Sequence, residues 1–576
     1  MNEKQLYEYA LQLFEKKFRM DSLWQEISEQ FYPERADFTY QRELGDEFAD
    51  HLMTSYPVLV RRDLSEQIGT MLRPVATNWF RSVPTDPERE DDNAKRWLEA
   101  SARIQYKAMY DPAAMLTRAA KEADNDYVTF GQFAMESQIA FGDEQEGPHL
   151  LHRCWHLRDM AWVENQYGRI GSRFRKWRPT AQELYRMMGN RPGSTVHPKV
   201  IRLATGTRKQ PFTKVDCMHM IVERDLYDGG EKNRQPWVSI WYDWTNKHVI
   251  SATPDWSYHY VIGRWHTQSG SQYAYSPATI VGLPDARLIQ AMGRTLLEAG
   301  EKLTNPPMIA TDEVIRSDVS IYPGGITWVD RDYDEKLGAA LRPMTTDAKG
   351  MPFGLEMIQD VRTLLWSVFY LNKLNLPQRA PEMTAYEVGQ RIQQYIRDAL
   401  PIFEPMEMEY NGQLCELDFN LLLRAGAFGS AYDMPPSLQG AQVTFRFTSP
   451  LHDTIEEQKS QKFLEMRALL AEAVQMDQST LALPDAKVAF RDALSAAGIP
   501  MHWIRTETTV QQIEDATRAA AEAEAALASM ETGSKIAKNL ADAQATSPEL
   551  GATPGQNTAP AGGNIPSVSQ GAIPAE

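Results

Sequence analysis

Two helical stripes separated only by residues 305–350 constrain the fold of this 576-residue chain more than any other feature. After Leu283-Pro284-Asp285, the residues Leu288, Met292, Leu296, Ala299 and Leu303 recur at helical spacing, with Gly293 and Gly300 on a second stripe that permits close approach. The pattern stops at Asn305-Pro306-Pro307, and a second stripe follows through Ile358, Val361, Leu365 and Phe369. Between them, 308–350 reads as short strands and turns, including Tyr322-Pro323-Gly324-Gly325. So short a β insert cannot bury a core of its own. Its strand edges, carrying Tyr322, Trp328 and Tyr333, invite aggregation unless neighbours cover them. Beyond the second helix, Leu374 to Glu382 contains two prolines and cannot be regular helix, whereas Thr384 and Glu387 cap a helix through Val388, Ile392 and Tyr395 to Leu400. A loop is therefore pinned between two helices.

The flanking text changes period. Leu23, Trp24, Ile27 and Phe31, then Val60, Leu64, Ile68 and Met71, predict helices, and the first ~125 residues read as helical throughout. Asp111-Pro112 predicts an N-cap and first-turn proline for a helix carrying Met115, Leu116, Ala119 and Ala123. Near Phe130 the period shortens to two: Phe133, Met135, Ile139 and Phe141 alternate with Ala134, Glu136, Gln138 and Ala140, which predicts a half-buried strand. From there to about 275 the chain reads as β, with a hairpin through Val163 to Gly168 and aromatic-rich strands at Trp237 to Trp244 and Tyr258 to Trp265. One helix interrupts it, capped by Thr180 and Glu183 and ending near Gly189. Helix resumes from Thr454, with Lys487 to Ala497 and an alanine-rich run from Thr509 to about Ala541. The stretch from Ala543 on is rich in Pro and Gly with two charges, which predicts disorder. The class is α+β.

The chemistry sought in such a chain is mostly missing from its text. There is no GxxxxGK[ST], GxGxxG after a strand, HExxH or GxSxG. Cys154, Cys217 and Cys415 lie far apart without a CxxC pair, which fits a reducing compartment, and no segment is long and apolar enough to span a membrane; the chain reads as soluble and intracellular. His149, His152, Cys154 and His156 are the densest ligand-type cluster, but three ligands within five strand residues are poorly placed for a zinc tetrahedron, so no metal or cofactor is expected. Arg169, Arg173, Arg175, Lys176 and Arg178, interleaved with Phe174 and Trp177, have the composition of a nucleic-acid patch. With a net charge of −17 a solvated hairpin pairing with surplus acids is the favoured reading. The aromatic region 237–275 reads as a β core or a subunit interface before a sugar-binding surface.

The order of elements, with Tyr275-Ser276-Pro277, Pro323-Gly324-Gly325, Met383-Thr384-Ala385-Tyr386-Glu387-Val388, Arg391, Ser449-Pro450-Leu451 and Ala497-Gly498-Ile499-Pro500, resembles the head-to-tail connector (portal) family of short-tailed bacteriophages over roughly residues 5–535. The resemblance implies a dodecameric ring and a division of the chain. It places a wing at 1–276 and 384–454, stem segments at 277–304 and 351–372 (helices 284–304 and 354–372), and a clip at 305–350. A tunnel loop at 373–383, a helical crown at 455–541 and a disordered tail at 542–576 complete it. It further implies that Lys373, Gln378, Arg379 and Glu382 face the channel, that Asp312, Glu313, Arg316 and Asp318 dock terminase and adaptor, and that Tyr322, Trp328, Tyr333, Gly293 and Gly300 lie at subunit interfaces. The implied partners are further copies of the chain, the terminase large subunit, capsid and scaffolding proteins, tail adaptor and nozzle proteins, and double-stranded DNA passing without sequence specificity. Catalytic residues, metals, cofactors and membranes are not implied. The implied location is the portal vertex of the virion, and the host cytoplasm during assembly. Two other classes stay open: a different virion component, internal or tail adaptor, and a glycan-active hydrolase, which would need two carboxyls about 5–10 Å apart in a cleft.

Overall fold

The computed structural model describes residues 1–304 apart from 44, 48, 76, 142–146, 190, 192, 207–209 and 229–233. It further describes 308–310, 341–343, 350–374, 397, 401–447 apart from 431 and 432, 463–471, 485–496, 499 and 503–545. The chain forms two compact units, Met1–Trp503 and Ile504–Glu576. The first is α+β.

Helix α1 (Glu3–Phe31) starts at a capping box between Asn2 and Gln5. Its apolar stripe serves two cores in turn. Leu6, Ala10, Leu13 and Phe14 pack with Phe174, Met218, Met220 and Ile240, whereas Trp24, Ile27 and Phe31 enter the main core with Phe130, Tyr273 and Phe369. Between the halves sits Lys17, fully buried, whose ammonium donates to the carbonyls of Leu157 at 2.7 Å and Met160 at 2.8 Å and lies 3.4 Å from Asp21. Burial lowers its pKa to about 8 against the pull of Asp21.

Helices α2 (Tyr56–Leu72), α3 (Asp92–Met109) and α4 (Leu116–Phe130) follow. The expected all-helical N-terminus is interrupted by β1 (Phe80–Pro84), which pairs antiparallel with the last strand, β12 (Val443–Phe447). Asp111-Pro112 caps only a 3-10 turn, Pro112–Ala114; Met115 then turns left-handed (φ 54°) and α4 starts after it.

Strand β2 (Gln132–Phe141) lies between β3 (Pro148–Trp155) and β9 (Tyr260–Arg264). Its first half is buried on both faces rather than one, because Glu136 points into a paired interior: its carboxylate accepts from Trp155 Nε1 at 2.7 Å and lies 3.5 Å from Arg175. A five-stranded antiparallel meander comprises β4 (Met160–Glu164), β5 (Ile170–Trp177), β6 (Cys217–Glu223), β7 (Trp237–Asp243) and β8 (His248–Asp255). The β4–β5 turn is the expected one, closed by Asn165 N to Arg169 O at 2.8 Å. Thr180 and Glu183 form the expected capping box on α5 (Ala181–Met188). A second helix that local text did not announce, α6 (Pro198–Thr205), joins α5 over Trp241 and Ile250.

Helix α7 (Pro277–Thr304) begins a full two turns before the expected start. Ser276 caps it, Pro277 takes the first helical position, and Pro284 is carried inside the helix. Helix α8 (Gly350–Val368) runs back along α7. At the base of the insert, β10 (Met308–Ala310) pairs with β11 (Leu341–Pro343). A π-helical turn, Glu407–Gly412, leads into a helix at Gln413–Arg424 that packs on β2. Of the expected helix at 384–400 only residue 397 is described, and it is helical. The second unit contains a helix at Glu507–Ala545 that is exposed from Gln511 to Asn539 and extends past the expected end near Ala541. No described helix is long and apolar enough to cross a membrane.

Candidate functional site

Helices α7 and α8 form an arm whose inner end is buried in the body and whose outer end is largely exposed. Glycines let its helices meet. A Cβ on Gly354 would stand 2.8 Å from Leu296 Cδ2, and one on Gly282 would stand 3.4 Å from Phe369. Burial on α7 is confined to Ala278, Thr279, Gly282, Leu283, Ala286 and Ile289, so its root is in the body and its outer half is not. Polar clamps hold the root. Gln290 accepts from the backbone N–H of Met53 at 2.7 Å and of Thr54 at 2.9 Å and donates to Thr54 O at 2.9 Å. Thr279 Oγ1 donates to Thr129 O at 2.7 Å, and Tyr56 OH donates to Arg362 O at 3.0 Å.

Beyond those clamps the arm keeps apolar side chains in solvent. Leu297 is 56 % exposed and Phe353 65 %, with Leu355 and Met357 also exposed, and Leu288 and Leu364 are exposed nearer the root. Of the glycines singled out from sequence, Gly293 faces Met53 of its own chain, where a Cβ would lie 3.3 Å away, and Gly300 has open space around it. Lys373 lies in the turn Leu371–Leu374 after α8, with its ammonium 5.9 Å from the Tyr370 ring centre. Gln378, Arg379, Glu382, Asp312, Glu313, Arg316, Asp318, Tyr322, Trp328 and Tyr333 lie outside the described residues.

Beneath the arm, the body is held by ion pairs that local sequence did not disclose. Arg73 (after α2) pairs with Asp124 (α4), donates to Asn411 Oδ1 at 2.8 Å, and lies 4.3 Å from the Tyr410 ring centre. Arg264 at the end of β9 bridges Glu409 at 2.9 Å and Glu164 at 3.3 Å. The histidine and cysteine cluster separates onto different partners. His152 joins Asp418 through Nε2 at 2.9 Å and Ala114 O through Nδ1 at 3.1 Å, Cys154 Sγ points to Asp126 at 3.8 Å, and His156 meets Asp37 at 2.5 Å. Among the described residues no group of His, Cys, Asp and Glu is arranged to hold a metal ion. The arginine run is corrected in a different way: it is not a solvated hairpin. Arg173 and Arg175 are buried, the first 4.5 Å from the Tyr258 ring centre and the second 3.9 Å from that of Trp155. The pairing with acids does hold for Arg175 with Glu136 and for Arg178 with Asp216 at 2.7 Å.

The His152–Asp418 pair carries a pH dependence. Burial opposes the charged imidazole, but Asp418, also bonded by Ser137, outweighs it and raises the His152 pKa above 6.5. A raised folded pKa makes the contribution full below about pH 6.5 and lost as pH rises through the folded value. We expect Asp418→Asn to remove this slope. The wild-type minus variant difference in denaturation midpoint should therefore shrink as pH is raised above about 6.5, and a difference that grows would disprove the assignment.

The body thus carries buried ion pairs and the arm carries exposed apolar side chains. The family described as "Bacteriophage head to tail connecting protein" matches residues 3–504. The chain belongs to that family, whose description is that of a structural connector. It is 23 % identical over 436 residues to the "Probable portal protein" of Bordetella phage BPP-1, covering 75 % of this chain and 76 % of that one. It is 20 % identical over 561 residues to the portal protein of Salmonella phage epsilon15, covering 95 % and 96 %. A chain from the virion of a native gene transfer agent particle aligns over 77 % of this chain and 95 % of its own, with 8 % identity and a TM-score of 0.31.

Proposed function

We propose that the chain assembles as a dodecameric portal ring at one capsid vertex, through whose channel DNA is packaged and later ejected. The observation that carries this reading is the apolar outer half of the α7–α8 arm, since surface of that kind marks an interface. In a ring each arm is covered by the next through a heterologous contact that closes. The arm is then the stem, 305–350 the clip, 373–383 the channel-facing loop, and the body the wing. A chain of net charge −17 repels DNA from the channel wall, and few neutralised phosphates means little braking of the passing duplex. ATP hydrolysis belongs to the terminase, which docks first on the clip rim at Asp312, Glu313, Arg316 and Asp318 and is later replaced by tail adaptor and nozzle proteins.

Class averages of the purified protein by electron microscopy should show rings with an axial hole. Leu297→Glu with Phe353→Glu should convert them to monomers with helicity unchanged. Charge reversal at Asp312 and Glu313 should keep rings and weaken terminase binding, Trp328→Ala should disturb the rings, and Gly-Ser in place of 378–381 should keep rings and lower the yield of filled heads. Monomers alone at high concentration, or intrinsic ATP hydrolysis, would sink the proposal.

A further inference from the structure

A cavity of about 670 Å³ opens on the body, lined by no residue of α7 or α8, and lies within the size range of small-molecule sites. The loop after α1, the end of β3, the 3-10 turn Leu157–Asp159, the end of β5, and residues 214–217 with Trp244 build it. Five cations and three carboxylates line it, in a chain whose overall balance is acidic. The carboxylates are already engaged. Asp37 takes Arg158 at 2.6 Å, Asp159 takes Arg158 at 3.3 Å, and Asp216 takes Arg178 at 2.7 Å. Lys176 and Lys214 form no ion pair among the described residues; the Lys176 ammonium instead lies 3.9 Å from the Phe14 ring centre. Burial lowers the Lys176 pKa against the pull of Asp159 and Asp21, and the five cations of the lining outnumber its three carboxylates.

Three indoles, Trp155, Trp177 and Trp244, share this lining, each half-buried. The Trp155 ring already carries the Arg175 guanidinium at 3.9 Å, and a plain carboxylate or phosphate would use the ammonium groups without engaging the indoles of Trp177 and Trp244. A planar base attached to a phosphate uses both, because bases stack on aromatic faces while cations neutralise phosphate. We propose that this cavity binds a nucleotide, with its phosphate at Lys176 and Lys214 and its base among the tryptophans. The same chemistry is offered by a free mononucleotide and by an unpaired nucleotide of a single strand. Within the run Phe174 to Arg178, Phe174 and Arg175 are buried, Arg175 beside Glu136, whereas Lys176, Trp177 and Arg178 at the end of the strand line the cavity.

Full-length protein is titrated with adenosine 5′-monophosphate, thymidine 5′-monophosphate, a six-residue oligothymidylate, inorganic phosphate and polyglutamate, following tryptophan fluorescence and, for labelled ligands, anisotropy. We expect saturable binding of the mononucleotides, at least tenfold tighter than inorganic phosphate and weakened by added salt. Lys176→Gln with Lys214→Gln should weaken it at least tenfold with the melting curve unchanged. Lys214→Gln alone, at an exposed position, should weaken it about threefold, each lost phosphate contact costing affinity. An oligothymidylate binding tenfold tighter than its mononucleotide assigns the strand as the source, and equal affinities assign the free nucleotide. No mononucleotide binding at millimolar concentration, binding unchanged in both variants, phosphate equal to nucleotide, or polyglutamate bound in its place would each overturn the proposal.

Discussion

Replacing Gly131 with valine is expected to abolish folded protein, and Gly131→Ala to cost about 3 kcal/mol or more. Gly131 joins α4 to β2 with φ at +75°, where an L side chain costs about 1–2 kcal/mol. The larger effect is steric. A Cβ there would fall 2.1 Å from the carbonyl carbon of Tyr275 and 2.3 Å from the nitrogen of Ser276, both backbone atoms that no rotamer change can move. Those atoms lead straight into the cap of α7, so relief would shift the root of the arm, and overpacking of this kind costs about 1–3 kcal/mol further. Gly168 is the control. It has φ at +72°, but the nearest atom to its Cβ would be Glu164 Oε1 at 3.4 Å, so Gly168→Ala should lose only about 1 kcal/mol. Equal denaturant midpoints for the two alanine variants would refute the steric account.

The second large effect is expected at Asp124. Its carboxylate and the Arg73 guanidinium are both buried, with Asn411 and the Tyr410 ring beside the cation. Asp124→Ala leaves a buried charge without its counterion, which costs about 3–5 kcal/mol, a large part of the roughly 5–15 kcal/mol by which domains are stable. The double replacement Arg73→Met with Asp124→Leu should recover most of that loss, because apolar groups of similar volume replace a desolvated pair at little cost. Urea midpoints for the three proteins decide the matter. If the single variant loses less than about 1 kcal/mol, the Arg73 site is not dry.

What could be read before any coordinates was what local spacing encodes. Leu23 to Phe31 and Val60 to Met71 lie on helices, Asn165 to Gly168 is a turn, and Thr180 with Glu183 is a cap, since each depends on neighbours within a few residues. Strand β1 was hidden because five residues whose partner is β12 carry no period of their own. The early start of α7 was hidden because Pro284 reads as the first turn of a helix, whereas Ser276-Pro277 supplies the start and the helix carries Pro284 inside it. The polar pairs joining Arg73 to Asp124, His152 to Asp418 and Arg175 to Glu136 bring together residues from separate elements, and only the assembled fold chooses among the many possible partners. Family membership was legible because it rests on the order of elements, a property of the whole chain that survives where no single motif is distinctive.

The pairing of β1 with β12 imposes an order in time on the nascent chain. Phe80 finds its partner only when Phe447 has left the ribosome, which at about 5–20 residues per second is roughly 20–70 s later. Through that interval Trp79 and Phe80 lack the aromatic neighbours Phe445 and Phe447 that cover them in the finished fold. The whole arm, including its exposed leucines, is synthesised within the same window. A chain so wired presents its sticky surface before its body is closed, so its yield in a cell is set by a race between strand closure and premature association, and slowing translation between residues 85 and 442 shifts that race toward aggregation.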